Sequence, residues 1–130
     1  MSIRLDHLIV PARDRKAAAA RLASILDVPW SENTDAGPFS PVYVSDELTL
    51  DFGQILGEFS VQHYCFRVDE AAFDAILGRL VEQGIPYRSN PMGPMDMQVK
   101  RQGDGRIVYW SEPDGHVWEI LTASYARRPQ

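Results

Sequence analysis

The stretch Trp110–Leu121, W-S-E-P-D-G-H-V-W-E-I-L, carries a turn and a strand that together organise the reading of the chain. It starts at the end of an apolar run, Ile107-Val108-Tyr109-Trp110, and turns through Pro113-Asp114-Gly115. Proline presets φ, aspartate hydrogen-bonds its own backbone and glycine accepts a positive φ, so this tripeptide between two apolar runs reads as a turn. A strand follows from Val117, and its period of two puts Val117, Glu119 and Leu121 on one face and Trp118, Ile120 and Thr122 on the other. A carboxylate thus points the same way as two aliphatic side chains. Either this is an edge strand with Glu119 in solvent, or Glu119 is buried and needs a cation or hydrogen-bond donors to offset several kcal/mol of desolvation.

Working outward, the chain shows one pattern twice. Residues 3–10, I-R-L-D-H-L-I-V, read as a strand with Leu5, His7 and Ile9 on one face, ended by Pro11 and Ala12. Asp14 caps a helix expected over Arg15–Leu26, with Ala18, Leu22, Ile25 and Leu26 as its apolar stripe. Residues 31–40 are loop-like, and Pro41–Val44 with Leu48–Gln54 form a hairpin. The second pass opens with the strand Val61–Val68, V-Q-H-Y-C-F-R-V. Asp69 caps a helix with the stripe Ala72, Phe73, Ile76, Leu77, Leu80 and Val81, and Gly84 sits at its C′ position. Pro86–Ser89 and Met95–Arg101 are candidate strands, and Gln102–Gly105 turns into Ile107–Trp110. The expected fold class is α+β, a single domain over residues 1–130 made of two βαβββ units, about 3–54 and about 60–123.

The two units share pattern rather than residue identity, but their polar in-strand residues are regularly placed. His7 to His63 and His63 to Glu119 are both 56 residues apart. Two imidazoles and one carboxylate with open positions opposite them form the facial arrangement that suits a non-heme Fe(II) centre. Each histidine taken singly is more often an ordinary core or surface residue. The matched positions favour the metal reading.

Composition narrows the partners. The chain has 130 residues, 45% of them hydrophobic, enough for a real core. A formal net charge of −5 and no basic tract argue against nucleic acid. A single cysteine, Cys65, fits a reducing compartment. No apolar run approaches a membrane span, so the expected location is the cytoplasm. No flavin or nucleotide motif is visible.

The openings L-D-H-L-I-V and Q-H-Y-C-F-R-V and the close P-D-G-H-V-W-E-I resemble the vicinal oxygen chelate superfamily, which includes glyoxalases, extradiol dioxygenases, fosfomycin-modifying enzymes and bleomycin-binding proteins. The likeness runs from about residue 3 to 123. Length and overall pattern also resemble a small single-domain subgroup that includes the aromatic-polyketide dioxygenase of chartreusin biosynthesis. The resemblance implies a curved mixed sheet around a metal cleft, with His7, His63 and Glu119 as ligands, Fe(II) as the metal (Mn, Ni or Zn as alternatives), and a homodimer. It also implies a dioxygenase acting with dioxygen on a planar aromatic small molecule. The alternatives are a glyoxalase- or epimerase-like lyase or isomerase using Glu47 or Asp51 as a further ligand, and a metal-free drug-binding protein.

Other residues are expected around that cleft. In extradiol-type relatives a tyrosine precedes the carboxylate ligand, and Tyr109 stands in that place as the catalytic candidate. Thr49 and Asp51 share a face of their strand, opposite Leu48, Leu50 and Phe52. Cys65 and Arg67 share the face of His63; Arg67 suits an anionic substrate oxygen, while Cys65 also reads as a small buried residue. Met92, Met95 and Met97 read as a pliable flap or as core filling, and Phe39 and Tyr43 add an aromatic wall. His116 lies in the turn at the wrong parity, leaving no second-shell histidine. A substrate with its own acidic phenol or enol is therefore favoured over simple catechol.

Overall fold

The computed structural model describes residues 2–127. It places two helices and eight strands in mixed sheets, so the fold class is α+β. The chain divides into two compact units, Met1–Ser60 and Val61–Gln130.

In the first unit β1 (His7–Ala12) pairs in parallel with β3 (Thr49–Gln54), which pairs antiparallel with β2 (Phe39–Tyr43). Strand β1 begins later than the sequence suggests and runs through Pro11 and Ala12. It is an edge of its sheet, where proline's missing N–H costs no ladder bond. Helix α1 (Arg15–Leu26) starts at the expected cap, where the Asp14 side chain accepts from the Ala17 amide at 3.1 Å. Its buried face is Ala19, Leu22, Ala23 and Ile25; Ala18 and Leu26 are only half-buried, so the stripe lies slightly round from the one expected. Val10, Ala12, Leu50 and Phe52 complete this core, leaving His7, Ile9, Thr49 and Asp51 on the opposite face. The strand missing from a full βαβββ unit is reduced to an isolated bridge between Trp30 and Val42.

The second unit repeats the parallel pairing. β4 (His63–Arg67) runs beside β8 (Val117–Leu121), which pairs antiparallel with β7 (Gly105–Ser111). The short β5 (Tyr87–Arg88) and β6 (Lys100–Gln102) both pair with β7. Helix α2 (Glu70–Glu82) is capped by Asp69 and buries Phe73, Ile76 and Leu80, while Val81, expected in the stripe, is exposed. Arg106 on β7 ties the helix down: its guanidinium lies over the Phe73 ring and pairs with Glu70 and Asp74. Gly84 follows the helix at φ +67°, the left-handed conformation a C′ residue adopts. No helix among the described residues is long and apolar enough to cross a membrane.

The expected strand Met95–Arg101 forms only over its last residues. Met97 takes φ +56°, which breaks an extended run, and residues 89–98 form a loop held by polar side chains. Arg88, almost buried, donates to the carbonyls of Asn90 and Pro91 and to the Ser111 hydroxyl. Asp96 accepts from the Ser89 and Gln98 amides at 3.0 and 3.1 Å and from the Ser89 hydroxyl. These bonds, the Ser89 hydroxyl first among them, hold the Asp96 carboxyl below its ordinary value of 3.8. A depressed carboxyl contributes stability above the ordinary value and loses it as pH falls through the lower folded one. The Ser89 and Gln98 amides should therefore stay protected from hydrogen exchange at pH 4 and lose protection only below the ordinary carboxylate range. Asp96→Asn should remove that pH dependence, and exchange measured across pH 2–6 on both proteins checks it.

Candidate metal centre and substrate clefts

Strand β8 is not an edge. It lies between β4 and β7, which decides the question its sequence left open: Glu119 has no exposed surface. Register sets its neighbours. Cys65 and Tyr109 are its direct partners on the two flanking strands, and His63 pairs with Val117 one step back on the same face. Glu119 Oε1 lies 2.9 Å from His63 Nε2 and accepts from the Tyr125 hydroxyl at 3.0 Å. His63 Nδ1–H donates to the Val117 carbonyl at 3.0 Å, which fixes the ring and aims Nε2 at the carboxylate. The His63 ring lies 6.2 Å, centroid to centroid, from that of Tyr109.

Two more protic groups, Cys65 and Tyr109, join Tyr125 at this carboxylate. Although Cys65 is an exposed residue overall, its thiol lies against Glu119, and burial followed by the carboxylate charge pushes it up to about 12. Burial and then the Glu119 charge raise the Tyr109 hydroxyl, and burial with the Glu119 hydrogen bond raises that of Tyr125. All three stay protonated near neutrality and can act as donors.

Glu119 Oε2 is buried and has no hydrogen-bond partner among the described residues. A buried carboxylate oxygen without a donor costs about 1–3 kcal/mol or more, so it needs an explanation. A cation supplies one. The donor set fits: a carboxylate oxygen with free lone pairs stands beside an imidazole whose other nitrogen is bound to a carbonyl, the usual way a metal-binding histidine is oriented. His63 remains 47% exposed at its side chain, so its side of the pair is open.

His7 belongs to the first unit. Its Nδ1 is 2.7 Å from Asp6, and that hydrogen bond, with further help from Asp51, raises its pKa. His7, Ile9, Phe39, Tyr43, Thr49 and Asp51 line a cleft of about 420 Å³, so the structure gathers these sequence candidates on one face. The two units place a carboxylate alike: Asp51 pairs with the residue two beyond His7, as Glu119 pairs with the residue two beyond His63. Glu47 lies outside that cleft lining, in the exposed turn before β3, paired with Arg4 at 3.0 Å. In the second unit Cys65, Arg67, Ser124, Tyr125 and Arg127 line a cleft of about 330 Å³. Met92, Met95 and Met97 are exposed on the 89–98 loop rather than filling a core. Among the described residues of one chain, no group of three or more His, Cys, Asp or Glu is gathered that could hold a metal.

Two residues escaped sequence reading. Tyr125 follows the last strand, where no periodicity marks it, and Arg88 sits in a two-residue strand amid polar loop. His116 has a structural part, as its parity suggested: it is buried, and its Nδ1 accepts from the Gln62 amide at 2.9 Å.

No protein-family model matches the chain. Solved structures do. The chain is 39% identical to oxidase ChaP-H2, with a TM-score of 0.88, over 96% of this chain and 97% of that one. It is 40% identical to oxidase ChaP-H1, with a TM-score of 0.86, over 95% of this chain and 98% of that one. Among curated proteins it is 27% identical to the fosfomycin resistance protein FosX of Mesorhizobium japonicum, over 95% of this chain and 88% of FosX.

If Glu119 is kept for a metal, it should weaken the metal-free fold. Replacing the pair together, His63→Leu with Glu119→Leu, should raise metal-free stability by about 1–2 kcal/mol, because the apolar pair carries no desolvation penalty and leaves neither of the two partners unpaired. Urea denaturation in the presence of a chelator checks this. A loss of stability would make the carboxylate a structural anchor instead.

Proposed function

The chain belongs to the vicinal oxygen chelate superfamily, and on that premise we propose that it is a metal-dependent dioxygenase acting on a planar aromatic small molecule. His63, Glu119 and His7 are the metal ligands, and Fe(II) is the metal. The observation that carries the reading is the orphaned, buried Oε2 of Glu119 beside the oriented imidazole of His63. The oxidase names of the ChaP relatives support the redox class. When bound, the metal supplies Lewis acidity toward vicinal substrate oxygens and one-electron chemistry toward dioxygen.

The chain's own residues do the rest. The Phe39 and Tyr43 rings with Ile9 make an apolar wall in the cleft that holds His7, suited to a flat polycycle. Tyr109, protonated and on the Glu119 face, donates a hydrogen bond to a substrate oxygen. Arg67 meets an anionic oxygen from the 330 Å³ cleft. No histidine besides the two proposed ligands is exposed to move protons, since His116 is buried in its turn. The substrate therefore supplies its own acidic phenol or enol.

His7 comes to the site from a second copy of the chain. The exposed apolar side chains Ile3, Leu5, Ile9, Ile55 and Leu56, which a homodimer can cover, support this.

A second reading has one observation behind it. Asp51 puts a further carboxylate in the His7 cleft, and four protein ligands suit a Lewis acid in a glyoxalase- or epimerase-like lyase or isomerase.

Fe(II)-loaded protein should consume oxygen with hydroxylated anthraquinone-like substrates and not with catechol. Tyr109→Phe should keep its metal but turn over about 10²–10³-fold more slowly, the usual loss for one positioned hydrogen bond in a water-poor site. Oxygen-electrode assays decide: turnover of methylglyoxal–glutathione hemithioacetal without oxygen uptake would promote the lyase. The dimer prediction is separate. His7→Ala and Glu119→Ala proteins should each lose metal, yet mixing them should restore it to about a quarter of sites, because half of a statistical mixture is heterodimer with one intact site. Metal analysis showing no recovery would place all three ligands in one chain.

A further inference from the structure

We propose that Tyr125 is the positioning residue that fixes which oxygen of Glu119 faces the metal. This rests on the reading of Glu119 and His63 as metal ligands, and it goes beyond it by giving a role to a residue outside both repeats.

The two oxygens of Glu119 are not equivalent. Oε1 accepts from the Tyr125 hydroxyl and lies against His63 Nε2, whereas Oε2 has no partner among the described residues. Once His63 Nε2 gives its lone pair to a metal it can no longer donate to Oε1. Its Nδ1–H stays on the Val117 carbonyl. The Tyr125 hydroxyl then remains on Oε1, where it resists rotation that would exchange the two oxygens. It also satisfies Oε1 in a place with no exposed surface, so that Oε2 is the oxygen with lone pairs to give.

The tail that carries Tyr125 is built to hold it there. The Thr122 amide donates to the Arg106 carbonyl at 3.1 Å, and the Arg106 amide donates to the Thr122 hydroxyl at 2.9 Å, extending the β7–β8 pairing one step past Leu121. Ala123 packs so closely on Gly105 that a Cβ there would lie 2.8 Å from the alanine methyl and 3.1 Å from its backbone nitrogen. The Ala126 amide then donates to the Ser124 hydroxyl at 3.2 Å, turning the chain around Tyr125. The tyrosine also hydrogen-bonds Tyr109, which links the carboxylate to the proposed substrate-facing hydroxyl.

Tyr125→Phe keeps the ring and removes the hydroxyl. Mn(II) affinity by chelator competition should fall about 10–100-fold, the usual cost of losing an outer-shell partner of a metal ligand. The visible absorption of the Co(II) form should change, because the carboxylate binds differently, a readout that a merely structural tyrosine would not move. A variant ending at Ala123 removes the hydroxyl by another route and should show the same loss; it decides the matter if Tyr125→Phe does not fold. Wild-type affinity and an unchanged Co(II) spectrum in a folded variant would overturn the inference. Wild-type protein that binds neither Mn(II) nor Co(II) would instead overturn the metal reading on which it rests.

Discussion

A carboxylate with no exposed surface in the middle of a sheet is the constraint from which much of this molecule follows. Burying Glu119 costs several kcal/mol unless its charge is met. Position supplies the answer: β8 is flanked on both sides, so each neighbour can be chosen by register. Cys65, Tyr109, His63 and Tyr125 converge, and no lysine or arginine is among them. A fold built for stability alone would pair a buried carboxylate with a fixed cation or replace it by leucine. Here Oε1 is satisfied and Oε2 has no partner among the described residues, an arrangement that supports the metal-ligand role proposed for this carboxylate.

The two units use one backbone plan for different ends. Each pairs its first and last strands in parallel, and each sets a carboxylate opposite the residue two beyond a histidine. In the first unit, however, His7 turns to Asp6 at its own strand's start, and Asp51 is only half-buried in an open cleft. In the second, histidine and carboxylate bond each other directly and the carboxylate is sealed. Parallel pairing makes this repetition possible: it holds the direction and face of both strands constant, so one register places the chemistry twice. What differs is the cover, a strand on each side of β8 and also of β3, but with aromatic β7 on one and an edge β2 with Pro41 on the other.

Legibility in the sequence follows the same logic. Strand parity puts His63 with Cys65, Glu119 with Val117 and Leu121, and Thr49 with Asp51 on one face of their respective strands, because a period of two is set by backbone geometry. Helix caps at Asp14 and Asp69 were readable for a similarly local reason: a side chain three residues from an amide needs no tertiary partner. The burial of Glu119 was not readable, since edge and interior strands share one alternation, and only the pairing of β4 with β8 across more than fifty residues separates them. The 89–98 loop failed for another reason. Its alternating methionines satisfy a strand pattern, but φ +56° at Met97 and the hydrogen bonds of Arg88 and Asp96 win over it.

Tyr125 shows where pattern reading stops. It lies beyond the last strand, in a segment with no periodicity, and its partner is fixed by a close approach of Ala123 to Gly105 that a Cβ would block. A tail can reach back to a site only if the strand before it ends at the right place, and the Thr122–Arg106 hydrogen bonds set that place. Ligand spacing in such a site is thus encoded by strands, which repeat and can be read. Ligand orientation is encoded by single contacts at strand ends, which do not repeat. The tuning role proposed for Tyr125 therefore falls in the least patterned part of the chain.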